Sequence, residues 1–460
     1  MSTEVTVADM MQAREARFFM QQNMLARYPG AALVCLTMNV AGPVKVTPPI
    51  KRAFAWGMEN IRAVLAGHKV LFEAEICEKT GAEAVFVVKG GAKEVKRRLC
   101  ALEDGFAIGR LLDIDVIAPD GAKIARTEIG LPPRKCLLCG QDAPVCARSR
   151  AHTVEELFKR THEIIGEHFA FEYAKRVGKQ AQRALLTEAA IAPKPGLVDR
   201  INAGSHSDMD IFTFIDSACA LRDYFEACAL IGLDHRGKEP QACFDALRTE
   251  GLLAERAMKR ATGGVNTHKG AIFSLGIYAA ALGMGYDGEK SDTQAALLRC
   301  GEMTGARMRE ELAAIEHAEA RTFGEQIYKE RRVGGVRAEA ASGFASVRES
   351  SLPRLRAAHD TGLPLNDAGL CALVSLMACT QDTNALRRGG EEAAQKLLED
   401  ARALDAYIGA EFAAGTLPDH MEEIRLRMTR WDMQLSAARI SPGGCADLLA
   451  LTLLAHFMSE

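Results

Sequence analysis

The chain lacks any run of about 18 uncharged apolar residues, the length a membrane-spanning helix needs, so no span is expected. It also lacks a strong charge of either sign. The formal net charge is −3, with 24 Lys+Arg against 21 Asp+Glu over residues 1–175 and 33 against 39 beyond. No attraction to nucleic acid is implied by such a balance. The opening segment, MSTEVTVADM, is polar and acidic and lacks the apolar core of an export signal. Internal repeats are absent. The thirteen cysteines are an odd number scattered through helical patterns. With no export signal expected, they read as reduced thiols of a cytoplasmic protein.

What is present is length and two kinds of pattern. At 460 residues, 48% hydrophobic and 25% charged, the chain has room for two or three soluble domains. Up to about residue 175 the apolar spacing alternates between strand and helix. It predicts helices over 5–28, 51–66 and 93–102, and strands over 31–40, 69–77, 84–89 and 111–117, with 122–127 as a strand returning after a turn at 119–121. Pro43, Pro48 and Pro49 interrupt regular structure before the second helix. From 153 onward the spacing is helical: 153–190, 211–232, 241–261, 269–284, 292–319, 367–379, 391–412, 419–438 and 445–458. Two long loops, 191–209 and 320–365, break it. The expectation is an α+β domain with a mixed or antiparallel sheet over 1–175, followed by an all-α helical bundle over 180–460.

Chemistry-bearing residues fall in both parts. In residues 111–117 (LLDIDVI), alternation puts Asp113 and Asp115 on one strand face, with Cα atoms about 6.5–7 Å apart. A carboxylate pair of that kind can hold Mg²⁺ or Mn²⁺, which takes oxygen ligands and bridges to phosphate. Hydrophobic-Asp-hydrophobic-Asp runs occur in nucleotidyltransferases downstream of a Gly-Gly or Gly-Ser turn, and Gly90-Gly91 precedes this one. Residues 134–152 hold Cys136 and Cys139 at Cys-x-x-Cys spacing, with Cys146 and His152 to complete a four-ligand zinc set, although no second Cys-x-x-Cys exists. The same stretch carries Arg134, Lys135, Arg148 and Arg150, which suit a phosphate-rich ligand.

In the second part three helix starts are polar. Asn266 or Thr267 can cap a helix whose free N–H groups, with Lys269, make an anion site. Ser441 can cap another, with Pro442 at its first position and Gly443 and Gly444 allowing close backbone approach. The third start, at 365–369, carries Asn366 and Asp367. Between them the loop 188–210 supplies Glu188, Lys194, Asp199, Arg200, His206, Asp208 and Asp210, and the loop over 337–344 supplies Glu339.

These strings resemble two known families. Residues of about 10–175 resemble the citrate lyase holo-acyl-carrier-protein synthases, through 38–45 (MNVAGPVK), 109–116 (GRLLDIDV), 134–139 (RKCLLC) and 146–150 (CARSR). Residues of about 180–460 resemble the triphosphoribosyl-dephospho-coenzyme A synthases, through 193–200 (PKPGLVDR), 264–273 (GVNTHKGAIF), 362–370 (GLPLNDAGL) and 441–447 (SPGGCAD). Cys445 stands where that family has Ser, Ala338 where it has Gly, and Phe323 where it has a more polar residue.

The resemblance implies a fused enzyme with a nucleotidyltransferase-like first domain. The second half would join the ribose of ATP to the 2′-hydroxyl of 3′-dephospho-coenzyme A and release adenine. The first half would pass the product to a serine of the apo acyl-carrier (gamma) subunit of citrate lyase and release pyrophosphate. Asp113 and Asp115 would then hold the metal. Asp199, Asp208, Glu339 and Asp367 are the candidate carboxylates for the ribose chemistry. Lys45, Arg110, Arg134, Arg148, Arg150, Lys194, Arg200, His206, Asn266, His268, Lys269, Asn366, Ser441, Gly443 and Gly444 are candidates for holding phosphate or nucleotide. Two readings stand beside this one: the malonate decarboxylase counterpart, and a non-catalytic adaptor that docks a carrier protein.

Overall fold

The computed structural model describes residues 4–317, 323–331 and 333–460 and divides into two compact units, Met1–Phe169 and Ala170–Glu460. The first unit contains α1 (Val7–Arg27), β1 (Ala32–Met38), α2 (Pro48–Leu65), β2 (Lys69–Glu78), β3 (Gly81–Lys89), α3 (Ala92–Gly105), β4 (Leu112–Ile117) and α4 (Ala143–Ser149). α5 (Val154–Ala190) follows, and the division between the units falls inside it.

The four strands form one antiparallel sheet in the order β2-β3-β1-β4. Alternation sorts its side chains into two layers. Val34, Leu36, Phe86, Val88, Leu112, Ile114 and Val116 pack against Phe54, Met58 and Ile61 of α2 and Val95 and Leu99 of α3. Leu33, Cys35, Val85, Val87 and Ile117 pack on the other face against Met20, Met24 and Leu25 of α1. Thr6 and Asp9 form a reciprocal cap at the start of α1. Pro48 and Pro49 do not interrupt structure: they open α2, because the first helical turn has no use for their missing N–H, and Thr47 caps it. The strand expected over 122–127 is not formed. One bridge, Ile117 to Lys123, is made after the turn. The chain then leaves the sheet, drawn off where the Arg126 guanidinium binds Glu103 and Asp104 and the carbonyl of Pro132.

The second unit is helical throughout. Its elements are α6 (Ile211–Asp234), α7 (Pro240–Ala261), α8 (Lys269–Met284), α9 (Thr293–His317), α10 (Phe323–Arg331), α11 (Gly335–Ala341), α12 (Leu352–Asp360), α13 (Leu365–Cys379), α14 (Thr383–Ala414), α15 (Leu417–Ala437) and α16 (Gly443–Phe457), with a π-helical turn at Val347–Ser351. α8, α13 and α16 are apolar on nearly all sides and buried along most of their length, so they form the centre of the bundle. The segment expected as a loop over 320–365 carries α10, α11 and α12. These helices are too short, at seven to nine residues, for a period to stand out, and α12 buries Leu352, Leu355 and Ala358 against its neighbours. Residues 318–322 and 332, and the side chain of Phe323, lie outside the described residues. α14 starts eight residues earlier than its periodicity suggests because a kink at Gly390, with φ of 72°, breaks the pattern.

Candidate active sites

In the first unit, β4 buries Leu112, Ile114 and Val116 and turns Asp113 and Asp115 to the opposite face. The register sets Asp113 beside Thr37 and Thr37 beside Glu83, so a third carboxylate joins the same row across the sheet. The row is met by cations. Arg17 of α1 binds Glu83 through Nε at 2.8 Å, Lys123 lies 2.6 Å from Asp115, and Arg134 lies 3.8 Å from Asp113. The Glu83 carboxylate beside it raises the Arg17 guanidinium further above its usual value. Arg134 is fixed by donating to the carbonyls of Arg110 and Leu112, both at 2.8 Å. Beneath it the Glu103 carboxyl is pushed up by burial, offset by Arg134 and Lys96.

The other predicted residues of this unit have varied surroundings. Lys45 donates to the Val40 carbonyl at 2.6 Å. Arg110 binds the Lys135 carbonyl, and Arg148 and Arg150 are exposed. The Gly90-Gly91 turn ends β3, while Glu83, opposite Thr37, stands near its start. The turn is therefore about 20 Å along the strand from the aspartates and does not flank them. Cys136, Cys139, Cys146 and His152 converge, with their ligand atoms all within 4.8 Å of one another. Hydrogen bonds from the Gln141 backbone, His152 and Cys146 bring the Cys139 thiol down to about 6.

In the second unit, the starts of α8, α11, α14 and α16 open on one cavity of about 540 Å³. Of the predicted residues it is lined by His206, Asp208, Asn266, His268, Lys269, Glu339, Ser441, Gly443 and Gly444. Glu188, Asp382, Asp447, Arg387 and Arg388 line it too. Asp382 was not legible as a site residue. It is buried and accepts from the N–H groups of Asn384 at 2.7 Å, Ala385 at 3.1 Å and Cys445 at 3.1 Å, so one carboxylate caps α14 and α16 together. Its only sequence signal is an Asp just before a helix. Asp447 sits in the 441–447 motif and faces Gly270, where a Cβ would come within 2.0 Å of its Oδ2. Burial and the nearby Glu188 and Asp382 push the Asp447 carboxyl well above the usual carboxylate range. Burial likewise raises Glu339, which accepts from Ser346 Oγ at 2.8 Å.

Several expectations are corrected here. His268, not Asn266 or Thr267, is the N-cap residue of α8. Its side chain meets Ser217 at 2.7 Å instead of capping, and its Nε2 has no hydrogen-bond partner among the described residues. Burial holds the His268 ring neutral, at about 3. Pro442, not Ser441, is the N-cap residue of α16 and makes no side-chain cap bond, and Ser441 meets His206 Nε2 at 3.0 Å. The start of α13, with Asn366 and Asp367, does not reach the cavity, whereas those of α11 and α14 do.

Lys194, Asp199, Arg200, Asn366 and Asp367 do not line the cavity. Lys194 is fully buried against Glu188. Asp199 accepts from the N–H groups of Lys194, Ile201 and Asn202 at 2.9, 2.7 and 3.0 Å and shapes the loop. Asn366 holds both the N–H and the carbonyl of Ala192 at 3.0 Å and binds Arg200 at 2.6 Å, while Asp367 pairs with Arg425 at 2.7 Å. Asp199, Asn366 and Arg200 hold the 190–202 backbone through these bonds.

Comparison with known proteins assigns both units. Residues 174–460 match the family described as ATP:dephospho-CoA triphosphoribosyl transferase, and residues 5–168 match apo-citrate lyase phosphoribosyl-dephospho-CoA transferase. The chain is 33% identical over 468 residues to Protein CitXG of Haemophilus influenzae, covering 98% of this chain and 96% of that one. It is 32% identical to Protein CitXG of Leuconostoc mesenteroides, covering 96% and 94%. The probable 2-(5''-triphosphoribosyl)-3'-dephosphocoenzyme-A synthase of Vibrio cholerae is 37% identical over 287 residues, covering 62% of this chain and 89% of its own length. The chain therefore belongs to the CitXG family, bifunctional transferases that make and attach the citrate lyase prosthetic group, with the attaching domain first and the synthesising domain second.

Proposed function

We propose that the cavity of the second unit carries the ribosyl transfer and the β4 face of the first unit carries the attachment step. The observation that carries the first assignment is the meeting, in one cavity, of four helix starts with carboxylates and the cations Lys269, Arg387 and Arg388. The substrates are ATP and 3′-dephospho-coenzyme A. A bond forms between the 2′-oxygen of dephospho-coenzyme A and the anomeric carbon of the ATP ribose, and the bond from that carbon to adenine breaks. Glu339, made more basic by burial, takes the hydroxyl proton. Asp447, whose carboxyl burial and the neighbouring Glu188 and Asp382 push toward the protonated form, gives its proton to the departing adenine. The carboxylates stabilise the positive charge that builds at the anomeric carbon. Asp382 occupies the N–H groups at the starts of α14 and α16, so the triphosphate is held by Lys269, Arg387 and Arg388. It stays on the product.

For the attachment step, the α+β layers and the paired aspartates support a nucleotidyltransferase-like reading. The serine oxygen of the acyl-carrier gamma subunit bonds to the α-phosphorus, and the bond to pyrophosphate breaks. Asp113 and Asp115 are oxygen donors on one face, about half and a third exposed in their side chains, and this donor set fits Mg²⁺ or Mn²⁺. The ion would neutralise charge on the phosphates when bound. Arg134 and Lys123 already stand beside these carboxylates and orient them. Thirteen free cysteines fit a reducing compartment, and we place the protein in the cytoplasm.

The test uses the full chain. With ATP and 3′-dephospho-coenzyme A alone it should release adenine but no pyrophosphate. Adding apo acyl-carrier subunit should release pyrophosphate and add the prosthetic group's mass to one serine. No adenine release refutes the reading and leaves the docking adaptor. Preferential loading of a malonate decarboxylase carrier would establish that counterpart instead.

A further inference from the structure

We propose that Cys136, Cys139, Cys146 and His152 bind one structural zinc ion that clamps residues 134–152 onto β4 and seats Arg134 beside Asp113. The four ligand atoms lie within 4.8 Å of one another. Cys139 Sγ is 3.3 Å from Cys146 Sγ and 3.3 Å from His152 Nε2. A tetrahedral ion with Zn–S bonds of about 2.3 Å places its ligand atoms about 3.5–3.8 Å apart, so small side-chain adjustments complete the site. Three thiols and an imidazole in one place are a soft donor set of zinc type. Four protein ligands leave no open position, so the ion is structural.

The backbone is built to present this set. Residues 134–143 fold back on themselves: Cys136 N–H donates to the Gln141 carbonyl at 2.8 Å, and Ala143 N–H to the Arg134 carbonyl at 2.8 Å. Leu138 N–H points at Cys136 Sγ at 3.5 Å, the kind of outer contact that steadies a metal-bound thiolate. α4 then delivers Cys146. Arg150 takes a left-handed φ of 50°, an uncommon conformation for a side-chain-bearing residue, and the chain turns back to bring in His152. A disulfide would use two of these thiols and leave the third thiol and the imidazole without a role. Its apolar anchorage is small: of the four ligands only Cys146 is buried, and Leu137 packs on the neighbouring apolar cluster, while polar contacts from Arg110 to the Lys135 carbonyl and from Lys135 to Asp142 add to it. The same hairpin carries Arg134, whose guanidinium reaches the Arg110 and Leu112 carbonyls and stands 3.8 Å from Asp113. The effect on attachment rests on the reading of Asp113 given above, whereas metal binding does not.

The experiment is metal analysis of the full chain, purified under reducing conditions without chelator. One zinc per chain is expected. Cobalt substitution should give thiolate-to-cobalt charge transfer and the intense visible bands of a tetrahedral site. Cys146→Ser should lose the metal and most carrier loading while adenine release persists. His152→Cys should keep the metal, with a cobalt spectrum of an all-sulfur site, which separates ligation from mere folding. Protein that neither contains zinc nor takes it up when reduced would overturn the proposal. So would undiminished zinc in Cys146→Ser, or an intact mass two hydrogens light from a Cys139–Cys146 disulfide. One zinc per wild-type chain, lost from Cys146→Ser with carrier loading unchanged, would overturn the seating of Arg134 by the ion.

Discussion

Replacing Asp447 with Asn isolates the proton proposed to reach adenine. The amide has the shape of the carboxyl and still accepts a hydrogen bond, but it cannot deliver a proton. Because burial, Glu188 and Asp382 raise the native carboxyl well above its ordinary value, the protonated form is favoured in the fold, and the amide resembles that form in shape and charge. Folding should change by under about 1 kcal/mol, since no buried charge is created or unpaired. Chemistry should suffer much more. A positioned general acid contributes about 10²–10⁴ in rate, so kcat for adenine release should fall about a hundredfold or more, a cost of about 2.7 kcal/mol at 1.36 kcal/mol per decade. ATP affinity should hold within about twofold, because the loss is confined to the transition state.

The pH dependence gives a second reading of the same residue. Asp447 works as an acid only while protonated, so wild-type kcat should fall as pH rises through its raised value, and that alkaline limb should vanish in Asp447→Asn. Stability carries the same sign. Between its unfolded and folded values the native state binds the extra proton, so its contribution is present at low pH and is lost as pH rises. The assay is chromatographic adenine release across pH, with ATP binding by calorimetry and carrier loading from supplied intermediate as control. A well-folded Asp447→Asn protein that keeps kcat within about threefold and keeps the alkaline limb would refute the assignment.

Three further outcomes follow from the placements above. Asp113→Asn and Asp115→Asn should each cut carrier loading about a hundredfold or more with adenine release unchanged, and near-normal loading by both would remove the metal role. Asp199→Ala should lower stability by roughly 2–4 kcal/mol, because it strands three backbone N–H groups. Turnover per folded molecule should hold, and a selective loss of kcat without a shift in melting temperature would return Asp199 to the chemistry. A fragment 170–460 should fold and release adenine, whereas 180–460 should melt much lower. The shorter piece loses Tyr173, stacked 4.5 Å from Tyr286, and the buried Ala174 and Val177, worth about 3–5 kcal/mol of burial. Equal melting temperatures would show that the start of this unit lies further along the chain.

Long helices and the central strands were legible because their apolar spacing is local and repeats over many turns. α8 is bounded at residues 269 and 284 by its pattern alone, and α6 is read to within two residues. The false strand at 122–127 and the missed helices α10 to α12 share a cause: segments too short to carry a period, and a conformation set by distant partners such as Glu103. For the sites, alternation along β4 placed Asp113 and Asp115 on one face, and ligand spacing brought out Cys136 and Cys139.

What the chain order alone determined was therefore the two-part organisation, the helix and strand periods, and the motifs whose residues act within one turn or one strand. Only the tertiary structure decided which motifs meet. Glu83 joins the aspartates because β1 lies between β3 and β4, and that register is a property of the sheet. Asp382 and Asp447 enter the cavity because α8, α14 and α16 start together there. Lys194, Asp199 and Asp367 do not line it because their side chains are taken up by Glu188, by the N–H groups of the loop and by Arg425. A polar residue in a loop shows only that it needs partners; which partners satisfy it is settled by the packing of helices far apart in sequence.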